Sequence, residues 1–406
     1  MQRINDNLHN GHWIYLYNDN LPILIPCIYS RYTRSNGSTV AYTEKLDKVT
    51  GYTKAYFQET HISDSSQYDR GHQLGLFLEW VDEHEHPYIT LDRHTAFPAD
   101  IINEYINDYL IAEMEKSLDS VTKAVTALTS YYNWLTFFLG TKQKKVCIYS
   151  DNRALARANG KTNMVVKYLL PATRHLLYRE SSCLLEKIVL MNGGEQGCRS
   201  SENRGFYLDD FKADGEMRRG LKSLFQQLRK EPEKEDFEYH LPSFNTKTGR
   251  SRKLYLSRHH LQLMERYYET ERPLTKVNQL LVSNARNHTK GRVIGSKFAS
   301  QIFYKISEQL RGKMSDYPAA YSGHQTIQKE NVYHHLRHSF GTDIFYNLCL
   351  SNRKRFETIT TESAVYLETA RRMGHSITGP YGAQTTKTYI HACSELEALR
   401  KEAIHA

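Results

Sequence analysis

The chain has 406 residues, 40% of them hydrophobic and 24% charged, with 54 Lys and Arg against 45 Asp and Glu. These proportions suit a globular protein of two or three domains and exclude a collagen, a coiled coil or a disulfide scaffold. The longest apolar run, near Leu21–Ile28, holds two prolines and falls well short of the roughly 20 residues a bilayer span needs.

The charge is unevenly spread. Residues 1–140 hold 10 Lys and Arg against 18 Asp and Glu, a balance of −8, whereas residues 141–406 carry 44 against 27, or +17. A basic segment of that size points to a polyanionic partner, because cations near phosphates release condensed counterions. The opening residues Met1–Asn7 show no apolar signal core, and the six cysteines form neither a CxxC pair nor a zinc spacing. Reduced thiols in a cytoplasmic protein are expected.

In chain order, residues 1–60 mix Ile, Tyr, Val and Thr with Pro and Gly and predict short strands and turns, with a hairpin tip at Ser35-Asn36-Gly37-Ser38. Residues 61–140 predict a small helical domain. Ser63 caps a helix with Leu74, Phe77, Leu78 and Val81 on one face. A second helix follows Pro98, with Ile102, Tyr105, Ile106 and Leu110 at helical spacing. A third follows Ser117 and carries Val121, Val125, Leu128, Tyr132, Leu135 and Phe138 as far as Gly140. Residues 141–162 read as a basic linker. Residues 163–406 predict an α+β domain, mostly helical with a small sheet. Its expected elements are helices at 172–191, 258–269, 296–311, 334–350, 362–373 and 394–403, and a hairpin from Tyr239 to Leu256 turning at Lys247-Thr248-Gly249.

Three patterns in this domain carry chemistry: Gly197-Cys198-Arg199-Ser200-Ser201-Glu202; His334-His335-Leu336-Arg337-His338-Ser339-Phe340-Gly341-Thr342; and Gly374-His375-Ser376 followed by Thr385-Thr386-Lys387-Thr388-Tyr389-Ile390-His391. In this order they resemble the GxRxxE, HxxR, GH and TTxxYxH motifs of the tyrosine recombinase (phage integrase) family. The resemblance spans about residues 60–400. Residues 61–140 are similar to the family's core-binding domain in architecture more than in sequence.

The residue types suit phosphodiester chemistry in their own right. A phosphate under attack gathers negative charge, and arginines offer permanent, planar, bidentate donors, which makes Arg199 and Arg337 the candidates. His334, one turn before Arg337, can act as general base or as a donor to the phosphate. His375 can donate to a non-bridging oxygen. Tyr389 is the candidate nucleophile, and Glu202 can orient Arg199 or a histidine. The resemblance adds an acid for the departing sugar oxygen, a lysine in a hairpin between the two arginines; Lys247 matches best and Lys253 is the fallback. Arg250, Arg252 and Lys253 are expected to grip the DNA backbone.

The resemblance implies a metal-independent site-specific recombinase, of integrase or transposase type, that needs no cofactor. It would cleave and rejoin strands through a 3′-phosphotyrosine. Its partner would be double-stranded DNA bound by a homotetramer on two sites, with room for accessory proteins, in a bacterial, phage or mobile-element setting. The alternative is an inactive DNA-binding regulator or accessory subunit on the same fold. A metal nuclease would need the Asp82-Glu83-His84-Glu85-His86 run, which reads as a solvated helix end. Two intervals are long, 38 residues from Arg337 to His375 and 14 from His375 to Tyr389; the second introduces a rival nucleophile, Tyr381, and a longer reach that would suit action in trans.

Overall fold

The computed structural model describes residues 1–6, 11–46, 51–160, 167–243, 251–375, 377, 386, 392–394 and 396–398; Lys247, Arg250, Tyr381 and Tyr389 lie outside the described residues, as does most of the helix expected at 394–403. The chain divides into two compact units, Met1–Met164 and Val165–Ala406.

In the first unit, β1 (Gln2–Asp6) pairs antiparallel with β2 (His12–Leu16), α1 (Leu24–Asn36) follows, and β3 (Ser38–Leu46) pairs antiparallel with β4 (Thr53–His61). A helix thus occupies part of the stretch read as strands and turns. Gly37 does adopt a positive φ, 63°, but as the left-handed cap ending α1 rather than as a hairpin tip. Glycine serves both uses for the same steric reason.

Then come α2 (Asp64–Glu83), α3 (Ala99–Glu104) running into a π-helical segment Tyr105–Glu113, α4 (Leu118–Leu139) and α5 (Ser150–Asn159), which lies inside the stretch read as a linker. The Ser63 and Ser117 hydroxyls accept from the backbone N–H of Ser66 and Ser120, the capping geometry that their positions predict. Residues 1–60 share one core with these helices: Trp13, Tyr15, Tyr29 and Val40 pack with Leu74, Phe77, Leu128 and Tyr131. Phe138, expected on the buried face of α4, is instead 48% exposed.

The second unit opens with α6 (Pro171–Arg179) and α7 (Leu184–Gly194), where one continuous helix was expected. The break has a local cause. The Glu186 carboxylate accepts from both the backbone N–H and the hydroxyl of Ser182, at 3.0 and 2.8 Å, and Cys183 is extended at φ −154°. A short hairpin, β5 (Phe211–Ala213) and β6 (Glu216–Arg218), precedes α8 (Leu221–Lys230). The hairpin β7 (Asp236–Leu241) and β8 (Arg252–Ser257) pairs Tyr239 with Leu254. Then follow α9 (Arg258–Thr270), α10 (Phe298–Asp316), α11 (Tyr333–Ser351) and α12 (Ala364–Met373). The core gathers Ile188, Val189, Leu224, Tyr239, Leu256, Leu261, Ile306 and Leu336 beneath α11. Phe345, Cys349, Phe356, Tyr366, Met373 and Cys393 form a smaller cluster between α11 and α12. Among the described residues, no helix is long and apolar enough to cross a membrane.

Candidate functional site

Three chain segments converge in the second unit. The first leaves α7 through Gly197, at φ 59°, where a Cβ would stand 2.3 Å from the Phe340 ring. Cys198 then ties back through its N–H to the Asn192 carbonyl at 2.8 Å, and Arg199 precedes a 3₁₀ turn, Ser200–Gly205. The second segment is the start of α11, which carries His334 and, one turn on, Arg337. Tyr333 anchors it to α7, donating to the Val189 carbonyl at 3.1 Å and accepting from Asn203 at 2.9 Å. The third is the end of α12. Gly374, at φ 64°, terminates the helix, and the His375 N–H returns to the Ala370 carbonyl at 2.8 Å, so the turn itself aims His375.

Glu202 is the hub of these segments. It is fully buried and accepts from Arg199 Nη1 at 2.6 Å, from the Arg199 N–H at 2.9 Å and from Arg252 Nη2 at 2.8 Å, with Arg337 Nη1 at 3.7 Å. Burial alone would push its pKa up. The Arg252, Arg337 and Arg199 guanidiniums outweigh burial and hold it at about 2, so it is a carboxylate at any working pH.

Arg337 is 1% exposed and donates to the carbonyls of Gly197 and Met373 and to His375 Nε2, the last at 3.3 Å. Arginine has no acceptor, so Nε2 of His375 accepts; the imidazole proton sits on Nδ1, which donates to the Thr386 hydroxyl at 3.0 Å. Burial, and then Arg337 and Arg199, lower the His375 pKa to about 3. His334 presents an exposed surface, yet burial of its ring by its surroundings and the same two arginines lower it to about 4. Both imidazoles are therefore neutral at physiological pH. His338 packs edge-on to His334 with ring centroids 4.8 Å apart, and His335 is held by Asn331 at 3.1 Å.

Arg199, Arg337, His375 and Glu202 are thus brought together, with His334 beside them. Arg252 departs from expectation. It does not face outward toward a DNA backbone: its side chain is 2% exposed and its terminal nitrogens are engaged inside the protein. The sequence held a signal for this. Strand residues alternate faces, and Arg252 is in phase with buried Leu254 and Leu256, whereas Lys253 is in phase with exposed Tyr255. Lys253 is exposed and pairs with Glu238 at 3.0 Å, which raises its pKa and makes it a poorer proton donor. Thr386, as the partner of His375, was also unforeseen.

No protein-family model matches the sequence, and no curated protein matches it. Among solved structures, the chain is similar to the integrase of transposon Tn1549 in complex with transposon right end DNA, with a TM-score of 0.52 and 11% identity over 93% of this chain and 99% of that one. A Tn1549 integrase complex with a circular intermediate DNA gives 0.48 and 11% over 90% and 94% of the two chains. A lambda integrase dimer bound to a COC' core site gives 0.45 and 12% over 80% and 89%. At such identity the likeness to the first is one of fold, and the chain has the fold of the tyrosine recombinases, mostly helical with small antiparallel sheets.

Proposed function

We propose that the chain is a site-specific DNA recombinase that breaks and rejoins strands through a 3′-phosphotyrosine. The observation that carries this reading is the convergence of Arg199, Arg337 and His375 around one buried carboxylate, with His334 one helical turn before Arg337, in a chain that also holds the Thr385-Thr386-Lys387-Thr388-Tyr389-Ile390-His391 segment. In this reading Val165–Ala406 is the catalytic unit and Met1–Met164 the core-binding one, and duplex DNA is bound by a tetramer on two sites.

Tyr389 attacks the scissile phosphate, and neutral His334 receives its proton. Arg199, with its side chain 17% exposed, presents donors to the non-bridging oxygens. Arg337, almost wholly buried, supplies charge from beneath and holds His375. Lys247 protonates the departing 5′-oxygen. The 5′-hydroxyl of a partner strand then attacks the phosphotyrosine and gives its proton to Lys247, while the P–O bond to Tyr389 breaks and His334 returns the proton to the tyrosine oxygen. No metal or redox cofactor enters this scheme.

Trapping on nicked duplexes drawn from the DNA flanking its own gene tests this. The wild type should give a denaturation-resistant adduct that Tyr389→Phe abolishes. An adduct that survives Tyr389→Phe and vanishes in Tyr381→Phe would move the nucleophile into the preceding loop. Tight DNA binding without adduct would favour the inactive DNA-binding protein.

A further inference from the structure

We propose that Arg252 is a positioning residue for strand cleavage, a clamp that sets the Arg199 turn and the His375 turn in register with each other; this rests on the recombinase reading above. Arg252 Nη1 donates to the carbonyls of Gln196, at 3.1 Å, and Arg372, at 2.8 Å. Its Nη2 donates to the Gly197 carbonyl at 3.1 Å and to Glu202 at 2.8 Å, with Cys198 Sγ at 3.7 Å. These partners fall on the two segments that carry Arg199 and His375. The clamp also closes against the terminating glycine of α12: a Cβ at Gly374 would stand 2.7 Å from Arg252 Cδ.

A buried arginine on an inward-facing strand position is an expensive way to fill space, because an apolar side chain of similar volume is often as stable or more so. Its use here follows from geometry. A planar fork can satisfy three carbonyls and a carboxylate on two different segments at once, and neither a hydrocarbon nor a lysine can. Arg252 never reaches substrate. It acts through Glu202, which aims Arg199, and through the Arg372 carbonyl at the end of α12.

The test uses the full chain and the nicked duplexes above in two forms, one with the natural phosphodiester and one with a neutral methylphosphonate at the scissile position. The methylphosphonate lacks one anionic oxygen and depends less on well-placed arginines. Arg252→Met should slow adduct formation on the phosphodiester by about a hundredfold, the scale of one lost oxyanion contact. On the methylphosphonate it should slow it by less than about tenfold, and DNA affinity should stay near that of wild type because surface phosphate contacts are untouched. Arg252→Lys keeps a charge beside Glu202 and loses the fork, so it should fall between the two with the same substrate dependence. It carries the test if Arg252→Met fails to fold by thermal melting. Equal slowing on both substrates, or an unchanged rate, overturns the positioning role while leaving the recombinase reading intact. A wild type that forms no adduct on either substrate overturns that reading, and the positioning role with it.

Discussion

Glu202 faces three guanidiniums, so the site carries a local excess of positive charge before any substrate arrives. Burial, reinforced by Arg337 and Arg199, keeps His334 and His375 neutral, and Arg199 retains a partly exposed side chain that an anion can meet. Geometry at Gly197 sets where that arginine points. Its φ of 59° belongs to the left-handed region, and the Phe340 ring fills the space a side chain would need. Gly197→Ala should therefore destabilise the protein by about 2–5 kcal/mol, combining about 1–2 for the left-handed backbone with overpacking of about 1–3. Urea denaturation of Gly197→Ala, Phe340→Ala and the double variant separates these contributions. The double variant should recover the overpacking part and leave the backbone part.

The elements that deliver site residues are short and depend on their ends. α12 has ten residues and places His375 through its terminal turn. Its first turn is capped by Ser363, whose hydroxyl accepts from the Tyr366 N–H at 3.3 Å. Ser363→Ala should cost about 1 kcal/mol, with a melting shift of about 2–4 °C, and should slow adduct formation more than the same change at Ser63, which caps a helix of the other unit.

Such local features were the legible part of the chain. Ser63, Ser117, Gly140 and Gly374 mark ends that the structure keeps, because capping is decided within a few residues. The GxRxxE, HxxR and GH segments named Arg199, Arg337 and His375 because each motif is contiguous. What was not legible depended on side-chain capture, on helical winding or on distant partners. The break between α6 and α7 arises where Glu186 captures Ser182, although apolar periodicity runs straight through. The wider π-helical winding at Tyr105–Glu113 leaves no mark in apolar spacing. Arg252 reads as a DNA contact by its charge and as a core residue by its phase in the strand, and the partners that decide between the two lie 50 to 120 residues away.

At the scale of the molecule, several histidines are held neutral by burial. His260 is wholly buried and lowered to about 3, His338 and His375 also to about 3, and His335 to about 4. Their folded-state values lie below the unfolded 6.5, so the unfolded chain takes up protons first as the pH falls. Stability is therefore greatest above about pH 6.5 and declines toward about pH 4, by up to about 1.4 kcal/mol per pH unit for each histidine. Thermal melts from pH 8 to pH 4.5 should show this decline, and His260→Leu should flatten it. A melting temperature that holds or rises as the pH falls would contradict it.

The bonds that close the site are long in sequence as well as short in space. Arg337 reaches back 140 residues to the Gly197 carbonyl, and Arg252 reaches forward 120 to that of Arg372. Each such closure must overcome the entropy of the loop it seals, so the site forms only when most of the second unit has already folded. A chain emerging from the ribosome cannot assemble it until α12 has been made. The arrangement of Arg199, Arg337 and His375 thus arises only after α12 has been made and is lost on the first partial unfolding of the second unit, so incomplete and damaged copies do not hold it.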